Sequence, residues 1–419
     1  MRVAFLWPYY PPEMGAASNR GTSLASFLKS KGCEVWVCAP EPSYLVSEDE
    51  PEPEVPVTRR IPARVRTRLG SRVLRLIMEA MAALAAIPSA LRLIKKSDVV
   101  VVSSPPLLFG LAGVIAARLV RKPVLLDVRD LWPDVLIESG EYRPGTLTRI
   151  AATAAKIAYR SATAVSVVTE GSIAKIESKR VGREEILLAP NGVEEALVRP
   201  GSSGQFAAIQ EAALRTRKIR ERRLQFRLVY AGLLGPAQGV GALLDALETL
   251  QVPVRVDVVG QGSEAAAIEE RAAALDVEFR FHGLVGRTQA LGISARADAA
   301  FVPLSSSKMA DTIPSKIFES MALGIPVVAV TSGEAARIIE VSGGGLVSEP
   351  GDALALAANI STLVADRDLA TAMGRRAQEF VAQNYVREVF FEAIYDRLTS
   401  MSVRSRHRST SASTSNTGA

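Results

Sequence analysis

Two carboxylates eight residues apart, Asp311 and Glu319, flank a proline that could open a helix, Pro314. Proline suits the first turn of an α-helix, because the backbone N–H that it lacks would have no partner there. The free amides of that turn and the positive end of the helix dipole would attract a phosphate. Carboxylates accept hydrogen bonds from sugar hydroxyls. One loop and one helix could therefore hold a nucleotide-sugar, although an ordinary amphipathic helix packed on a sheet would show the same spacing.

Two parallel sheets would have to position this segment. The chain has 419 residues, which is more than one core usually holds, so two domains are expected. Short apolar runs alternate with helical patterns in both halves, as in doubly wound α/β domains. Strands are predicted at residues 3–7, 34–39, 99–103, 124–128, 164–168 and 186–188, and at 227–231, 255–259, 278–281, 299–302, 327–330 and 345–347.

The predicted domains are residues 1–200 and 226–378, joined by a charged connector at residues 201–225. A last helix is expected over residues 379–400. Residues 401–419 are mainly Ser, Thr, Arg, Gly and Ala, a composition that predicts disorder.

Small-residue turns and acids follow several of these strands. Gly15 lies in a turn that opens a helix, where a ligand could approach the backbone amides. Asp130 follows the strand at 124–128, at the edge where open α/β sheets bind ligands. Gly232 and the pair Gly260 and Gly262 follow two strands of the second half. Plain βα turns, a helix-capping aspartate and packing glycines are the simpler interpretations.

In this order the segments resemble motifs of the retaining glycosyltransferases of family 4. Residues 311–319 match the acid-x7-acid element, with Asp where Glu is commoner, and 190–193 read Pro-Asn-Gly-Val, like the turn that ends the first domain of the family. Residues 129–133, Arg-Asp-Leu-Trp-Pro, are similar to a subgroup that makes bacterial surface polysaccharides such as lipopolysaccharide, O-antigen or capsule. The resemblance implies the GT-B fold, two doubly wound Rossmann-like domains facing across a cleft, with the helix at 379–400 crossing back to the first domain.

The resemblance also implies roles for individual residues. Asp130 would lie near the attacking hydroxyl, Asp311 would bind the transferred sugar and Glu319 the ribose. The implied donor-binding residues are Gly15, Gly232, Gln238, Gly260, Gly262, His282, Lys308, Ile313, Pro314, Ser315, Lys316 and Glu319. The implied acceptor-side residues are Asn19, Arg20, Arg129, Asp130 and Trp132. The donor would be a UDP- or GDP-linked sugar and the acceptor a glycan or lipid-linked intermediate.

One motif departs from the family. The turn that begins at Gly232 has Leu233 and Gln238 where relatives commonly carry Arg and Lys. The donor diphosphate would lose two cations, which Lys308, Lys316, Arg20 and the amides around Ser315 could replace. No Asp-x-Asp motif occurs at a strand end, so no catalytic metal and no cofactor are predicted.

Charge indicates where the protein works. The net charge is +6, and the first 190 residues carry 26 Lys and Arg against 19 Asp and Glu. Seven arginines between Arg59 and Arg75 could contact an anionic membrane or form a solvated loop. No aromatic pattern or binding module accompanies them, which argues against nucleic acid. Cys33 and Cys38 are badly placed to bridge and no secretory signal is apparent, so a cytoplasmic protein is expected, near the inner membrane face.

Two other functions remain open at the level of sequence. A sugar-nucleotide epimerase could share the GT-B fold but would need no acceptor, and the shortage of histidines argues mildly against it. A non-catalytic glycan- or membrane-binding scaffold would be supported only by Leu233 and Gln238. Nucleotide binding and acceptor-free product analysis would separate the three.

Overall fold

The computed structural model describes residues 1–42, 45–46, 52–64, 72–199, 205–219 and 225–414. The chain divides into two compact units. The first, called the N-unit, comprises residues 1–134, 144–190 and 388–419. The second, called the C-unit, comprises residues 135–143 and 191–387.

The N-unit contains a parallel sheet of seven strands in the order β3-β2-β1-β4-β5-β6-β7. The strands are β1 Arg2–Leu6, β2 Glu34–Glu41, β3 Val57–Arg64, β4 Val99–Ser104, β5 Val124–Val128, β6 Ala164–Val167 and β7 Ile186–Leu188. The six predicted strands are confirmed within two residues at each end. β3 was not predicted, because its arginines and Pro62 are unfavourable for a central strand; it lies at the edge and pairs only with β2.

Helices cover both faces of this sheet. They are α1 Ala16–Ser30, α2 Arg72–Lys96, α3 Leu107–Leu119, α5 Thr146–Ser161 and α6 Glu170–Glu177. The short helix α4, Asp134–Glu138, begins at the last residue of an N-unit segment, and its residues 135–138 belong to the C-unit. One core lies under α2, α3 and α5 and another lies under α1. All six residues of β4 are buried, which explains its run of valines.

The C-unit contains a parallel sheet of six strands in the order β10-β9-β8-β11-β12-β13. The strands are β8 Phe226–Ala231, β9 Val254–Val259, β10 Glu278–Gly283, β11 Ala299–Pro303, β12 Val327–Val330 and β13 Gly345–Ser348, and all six were predicted. Its helices are α7 Glu195–Val198, α8 Gln205–Ile219, α9 Gly241–Leu247, α10 Ala265–Ala273, α11 Arg287–Ser294, α12 Ser315–Ala322, α13 Gly333–Ser342, α14 Ala353–Ala365 and α15 Arg367–Asn384.

The segment predicted as a charged connector is partly built into the C-unit. α8 buries Ile209 and Ala213 in a core that it shares with Leu197 of α7. The prediction counted the charges of this segment and overlooked its apolar spacing. Residues 201–204 and 220–224 lie outside the described residues.

The predictions for the C-terminus were wrong in two respects. The helix expected over residues 379–400 is interrupted: α15 ends at Asn384 and a new helix, α16, spans Arg387–Thr414. Between them Val386 pairs with Val193 as a short bridge. Residues 401–414, expected to be disordered, continue α16 because Ile394, Leu398 and Met401 repeat at helical spacing and pack into the N-unit core. Residues 415–419 lie outside the described residues.

Each sheet has one point where the strand order reverses, between β1 and β4 in the N-unit and between β8 and β11 in the C-unit. Open α/β sheets bind ligands at the carboxyl ends of the strands beside such a point. None of the helices in the described ranges has the length and hydropathy needed to span a membrane.

Candidate functional site

The turns that follow β8 and β9 are bound tightly together. The Gly232 N–H donates to the carbonyl of Val259 (2.9 Å), and the Leu234 N–H donates to that of Gln261 (2.9 Å). A Cβ on Gly262 would lie 1.8 Å from the carbonyl oxygen of Leu234, and only glycine leaves room for this approach. A Cβ on Gly260 would likewise lie 1.9 Å from the carbonyl oxygen of Gly232. Both predicted donor-binding glycines therefore have a clear packing role.

A lysine from α12 reaches the same place from the other side of the reversal point. The Lys316 ammonium donates to Gln238 Oε1 (2.9 Å) and to the Tyr230 hydroxyl (3.2 Å), and lies 4.3 Å from the centre of the Tyr230 ring. A Cβ on Gly232 would lie 3.0 Å from its Nζ. Burial lowers the pKa of Lys316 to about 7, against the opposing charge of Glu319. The Lys316 ammonium therefore contacts the turn after β8, which has Leu233 and Gln238 where relatives commonly carry Arg and Lys.

The loop before α12 is anchored at both ends. The Ser305 N–H donates to the carbonyl of Ala237 (3.2 Å), and the Glu334 N–H donates to that of Ala310 (2.8 Å). The partly buried Asp311 follows this second anchor, so its loop has a defined position. Lys308 is exposed on the same loop.

The segment that enters α12 differs from the predicted one at two positions. Pro314 is the last extended residue before the helix, which begins at Ser315. Ile313, predicted to contact the donor, is 7% exposed and packs into the C-unit core, because an isoleucine between a loop and a helix is more stable buried. Ser315 and Lys316 remain partly exposed at the helix start.

Glu319 belongs to a chain of four charges that the sequence did not reveal. Arg287 donates through Nε and Nη2 to Glu319 Oε1 (3.3 and 3.1 Å), and its Nη2 also reaches Glu194 Oε2 (2.8 Å). Arg387 Nη1 donates to the other oxygen of Glu194 (2.8 Å). Burial alone would raise the pKa of Glu194, but the two guanidinium groups outweigh it and hold that pKa well below its usual range.

The same arginine binds the turn that begins the C-unit. Arg387 Nε donates to the carbonyl of Asn191 (2.6 Å) and Nη2 to that of Gly192 (3.0 Å). A Cβ on Gly192 would lie 2.4 Å from the Tyr385 carbonyl oxygen, so the Asn-Gly dipeptide is needed for packing as well as for its turn. The partners are too distant in sequence for any local pattern to have indicated them.

The side chain of His282, a predicted donor-binding residue, contacts a carboxylate of β9. Its Nε2 lies 2.8 Å from Asp257 Oδ1, which also accepts a hydrogen bond from Arg255 Nη2 (2.9 Å). Asp257 and Arg255 belong to β9 and are nearly buried. The structure therefore places the His282 side chain in a polar network with two residues of β9.

In the N-unit, Arg129 and Asp130 follow β5 at the carboxyl edge. The Arg129 guanidinium donates to Ser103 Oγ (3.1 Å) and to the Pro105 carbonyl (2.6 Å), and its Cζ lies 6.0 Å from the Trp7 ring centre. Desolvation raises the pKa of Asp130 above its ordinary value, against the opposing charge of Arg129. A carboxyl group with a raised pKa is better suited to accepting a proton than an ordinary aspartate.

Arg20 was predicted at the acceptor side and as a diphosphate cation, and both predictions were wrong. Its Nε and Nη2 donate to the two carboxylate oxygens of Asp127 (3.0 and 2.8 Å), and its Nη1 donates to the Pro190 carbonyl (3.2 Å). Arg20 is 1% exposed and Asp127 is fully buried. Burial would raise the pKa of Asp127, but the charge of Arg20 outweighs it and lowers that pKa. The pair holds α1 to β5.

The N-unit residues that remain, the donor-side Gly15 and the acceptor-side Asn19 and Trp132, differ in their surroundings. Gly15 is exposed before α1 with φ of 107°, and a Cβ there would contact nothing. Asn19 is partly exposed on α1, and its N–H donates to the Gly15 carbonyl (3.0 Å). Trp132 is partly buried and packs against the core beneath α2, α3 and α5.

The described residues hold no group of three or more His, Cys, Asp or Glu side chains that could bind a metal ion.

Comparison with known proteins matches each half to a glycosyltransferase family model. Residues 15–192 match the glycosyl transferase 4-like domain, and residues 225–366 match glycosyl transferases group 1. The probable glycosyltransferase WbjE of Pseudomonas aeruginosa is 25% identical over 343 residues, which are 80% of this chain and 81% of that protein.

Solved structures agree with the fold. HepE of Anabaena, solved in complex with UDP-glucose, aligns with a TM-score of 0.70 at 18% identity over 96% of this chain and all of its own. WaaG, a glycosyltransferase involved in lipopolysaccharide biosynthesis, aligns with a TM-score of 0.67 at 17% identity over 95% of this chain and 99% of its own. At such low sequence identities, these alignments support a similarity in fold and nothing more. Together with the two family models, these matches support a glycosyltransferase with the GT-B fold.

Proposed function

We propose that the chain is a retaining family 4 glycosyltransferase that moves a hexosyl or N-acetylhexosaminyl group from a UDP- or GDP-sugar to an acceptor hydroxyl. The observation that carries this proposal is the cation at the reversal point of the C-unit sheet. Lys316 lies at a helix N-terminus, against the turn after β8, and no carboxylate of the described residues is bound to it. A diphosphate is the ligand that such a site favours. HepE, whose fold is similar, was solved with UDP-glucose bound.

The chemistry assigned to the C-unit is electrostatic. When the bond between the anomeric carbon and the diphosphate oxygen breaks, the electron pair stays on the diphosphate. Lys316 and the first amides of α12 would stabilise that charge without rearranging. Glu319, held by Arg287 through Oε1, would bind the ribose, and Asp311 would bind the transferred sugar.

The acceptor chemistry is assigned to the N-unit. The acceptor oxygen bonds to the anomeric carbon on the face that the diphosphate leaves, which retains the configuration, and its proton must be removed. Asp130 is the candidate for positioning that hydroxyl and receiving the proton, because desolvation raises its pKa. Arg129 beside it, fixed by Ser103 and Pro105, would keep it oriented. No metal ion or cofactor takes part in this scheme.

A lipid-linked or cell-surface glycan intermediate is the proposed acceptor, used at the cytoplasmic face of the membrane. The support is the Arg-Asp-Leu-Trp-Pro sequence at residues 129–133 and the similarity in fold to WaaG. The membrane contact predicted at Arg59–Arg75 has little support from the described residues. Arg60 uses its guanidinium to bind the carbonyls of Pro40 (3.0 Å) and Pro11 (2.7 Å). Arg66 and Arg68 lie outside the described residues.

The experiment has two stages. Calorimetric titration with UDP, GDP and their sugars should show binding that Lys316→Met weakens and that Lys218→Met, a change of an exposed lysine on α8, does not. The protein is then incubated with mixed sugar nucleotides and a membrane lipid extract, and mass spectrometry and anomeric proton NMR identify the product. A new glycan with the configuration of the donor is expected. No nucleotide binding would indicate a scaffold, and an isomerised nucleotide-sugar without acceptor would indicate an epimerase; either result contradicts the proposal.

A further inference from the structure

Three neighbouring helices form one outer layer of the N-unit. α3 packs between α2 and α5, and the inner sides of all three enter the same core. Their buried side chains are mostly small: Ala86 and Ala90 on α2, Ala117 on α3, and Ala155 and Ala158 on α5. The sides that point away from the sheet form the surface called here the α2–α3–α5 face.

This face is unusually apolar for a protein surface. Of the thirteen exposed large hydrophobic side chains among the described residues, seven belong to these three helices. Each is at least 40% exposed. They are Met81 and Leu84 on α2, Ile115 and Leu119 on α3, and Leu147, Ile150 and Ile157 on α5. Single exposed apolar residues need no explanation, but a concentration on adjacent helices indicates an interaction surface.

The charge of the same face has one sign. The sequence of the three helices contains a single acid, Glu79, which is buried and accepts a hydrogen bond from the Leu108 N–H (2.8 Å). Basic side chains stand between the apolar ones on α5 and follow them along α2: Arg149, Lys156 and Arg160, and Arg92, Lys95 and Lys96. A face that is apolar and basic, with no exposed carboxylate, has the chemistry of an anionic lipid surface.

We infer that the α2–α3–α5 face binds the anionic surface of a phospholipid bilayer. Its apolar side chains would enter the headgroup region, and its lysines and arginines would contact lipid phosphates. In a parallel α/β layer the helices begin at the carboxyl edge of the sheet, where Asp130 follows β5. The apolar start of α5, with Leu147 and Ile150, therefore lies toward the edge proposed to receive the acceptor. This inference goes beyond the proposed reaction, and the surface could bind lipid whatever the enzyme transfers.

The test is sedimentation of the full-length protein with vesicles of phosphatidylcholine, with or without phosphatidylglycerol. Binding is expected only to the anionic vesicles and should fall as salt rises. Neutralising three charges in the variant Arg149→Gln/Lys156→Gln/Arg160→Gln should weaken it roughly a hundredfold, since each basic residue near an anionic membrane contributes about fivefold. Ile150→Glu/Ile157→Glu should abolish it, and glutamate is a good helix former, so α5 should still fold.

The matched control is Val341→Glu/Leu354→Glu, which makes the same change at two residues that are 70% and 71% exposed on the C-unit. It should bind vesicles like the unchanged protein. UDP-glucose affinity should be equal in all of these variants, so a failure of membrane binding is distinguishable from a failure of the donor site. The inference would be overturned if the protein bound phosphatidylcholine vesicles as well as anionic ones, or bound neither. It would also be overturned if the control variant lost as much vesicle binding as Ile150→Glu/Ile157→Glu. So would a dimer in sedimentation velocity that Ile150→Glu dissociates, because the face would then serve a second copy of the chain.

Discussion

Donor affinity should depend on pH through Lys316. Burial lowers the pKa of this lysine to about 7 in the free protein, so it is charged below neutral pH and largely uncharged above it. A diphosphate binds the charged form. As pH rises above 7, binding must therefore be preceded by proton uptake, and affinity is lost; below 7 the lysine is already protonated and affinity is constant.

The size of the effect follows from that pKa. If only the protonated lysine binds, the apparent Kd rises tenfold for each pH unit above the pKa, which gives a loss of roughly ninetyfold between pH 6 and pH 9. UDP-glucose is the suitable ligand, because its phosphate diester groups keep the same charge over this range. Removing the cation in Lys316→Met should weaken binding about ten- to a hundredfold at low pH, the range for one charge-assisted hydrogen bond. The dependence on pH should disappear.

Isothermal titration calorimetry across this range is the assay, repeated in buffers with different heats of ionisation to count the protons taken up. About half a proton should be taken up at pH 7, where half of the lysine is charged. Lys316→Arg keeps its charge throughout and should bind without a pH dependence. Lys218→Met should retain the full dependence. A wild-type affinity that stays flat from pH 6 to 9, or an arginine variant that keeps the slope, would refute the reasoning.

Three further variants test the other contacts. Arg287→Gln leaves Glu194 with a single arginine and should lower the free energy of unfolding by about 3 kcal/mol, measured with urea, while raising the Kd for UDP-glucose. Arg20→Met leaves Asp127 buried without its ion-pair partner, with only the Ser166 hydroxyl donating to it among the described side chains, and should cost about 3 to 5 kcal/mol. The same change removes the charge that lowers the pKa of Asp127. In the wild type, the ionised carboxylate stabilises the folded protein above the pKa that Asp127 has in the unfolded chain, and this stabilisation disappears as the pH falls. The variant should show less of this pH-dependent stability. Gly262→Ala should destabilise the protein by about 1 to 3 kcal/mol and weaken nucleotide binding, because the new methyl overlaps a carbonyl oxygen.

Two of these variants have a matched control. Gly292 lies inside α11 with nothing within 4 Å of a Cβ, so Gly292→Ala should be neutral or stabilising in the same unfolding experiment. Arg287→Lys keeps the charge but not the forked geometry, and should lie between the wild type and the glutamine variant. The assignments would be wrong if the glycine variants behaved alike, or if Arg20→Met unfolded at the wild-type urea concentration.

The fold was largely predictable because its signal is local. Parallel strands buried on both faces appear as short apolar runs, and twelve of the thirteen strands were found in this way. β3 was missed because an edge strand tolerates arginine and proline that a central strand does not. The end of α16 was missed because serine and arginine dominate its composition, although Met401 continues the apolar spacing that holds the helix to the N-unit.

The site was predictable where a short motif contains all its parts, and not where it depends on distant partners. Gly232, Ser315 and Lys316 could be selected from their own segments. The role of Arg287 could not, because it binds Glu194 and Glu319, which are 93 and 32 residues away. The prediction for Arg20 failed for the same reason. A cation beside a glycine turn indicates a phosphate site, but the Arg20 guanidinium binds the carboxylate of Asp127, which is distant in sequence.

The turn after β8 shows that the charge of a site depends on which residues are close in the folded structure, and not only on the residue types in one segment of the sequence. Gln238 stands where relatives commonly have lysine, which in sequence indicates a weakened anion site. In the structure Gln238 accepts a hydrogen bond from Lys316, a residue 78 positions later in the first turn of α12. The glutamine that seems to remove a cation therefore helps to position one, supported by the Tyr230 hydroxyl and ring. Because the groups of the described residues that hold that ammonium are neutral, its charge remains available to an anion, and its burial lowers its pKa.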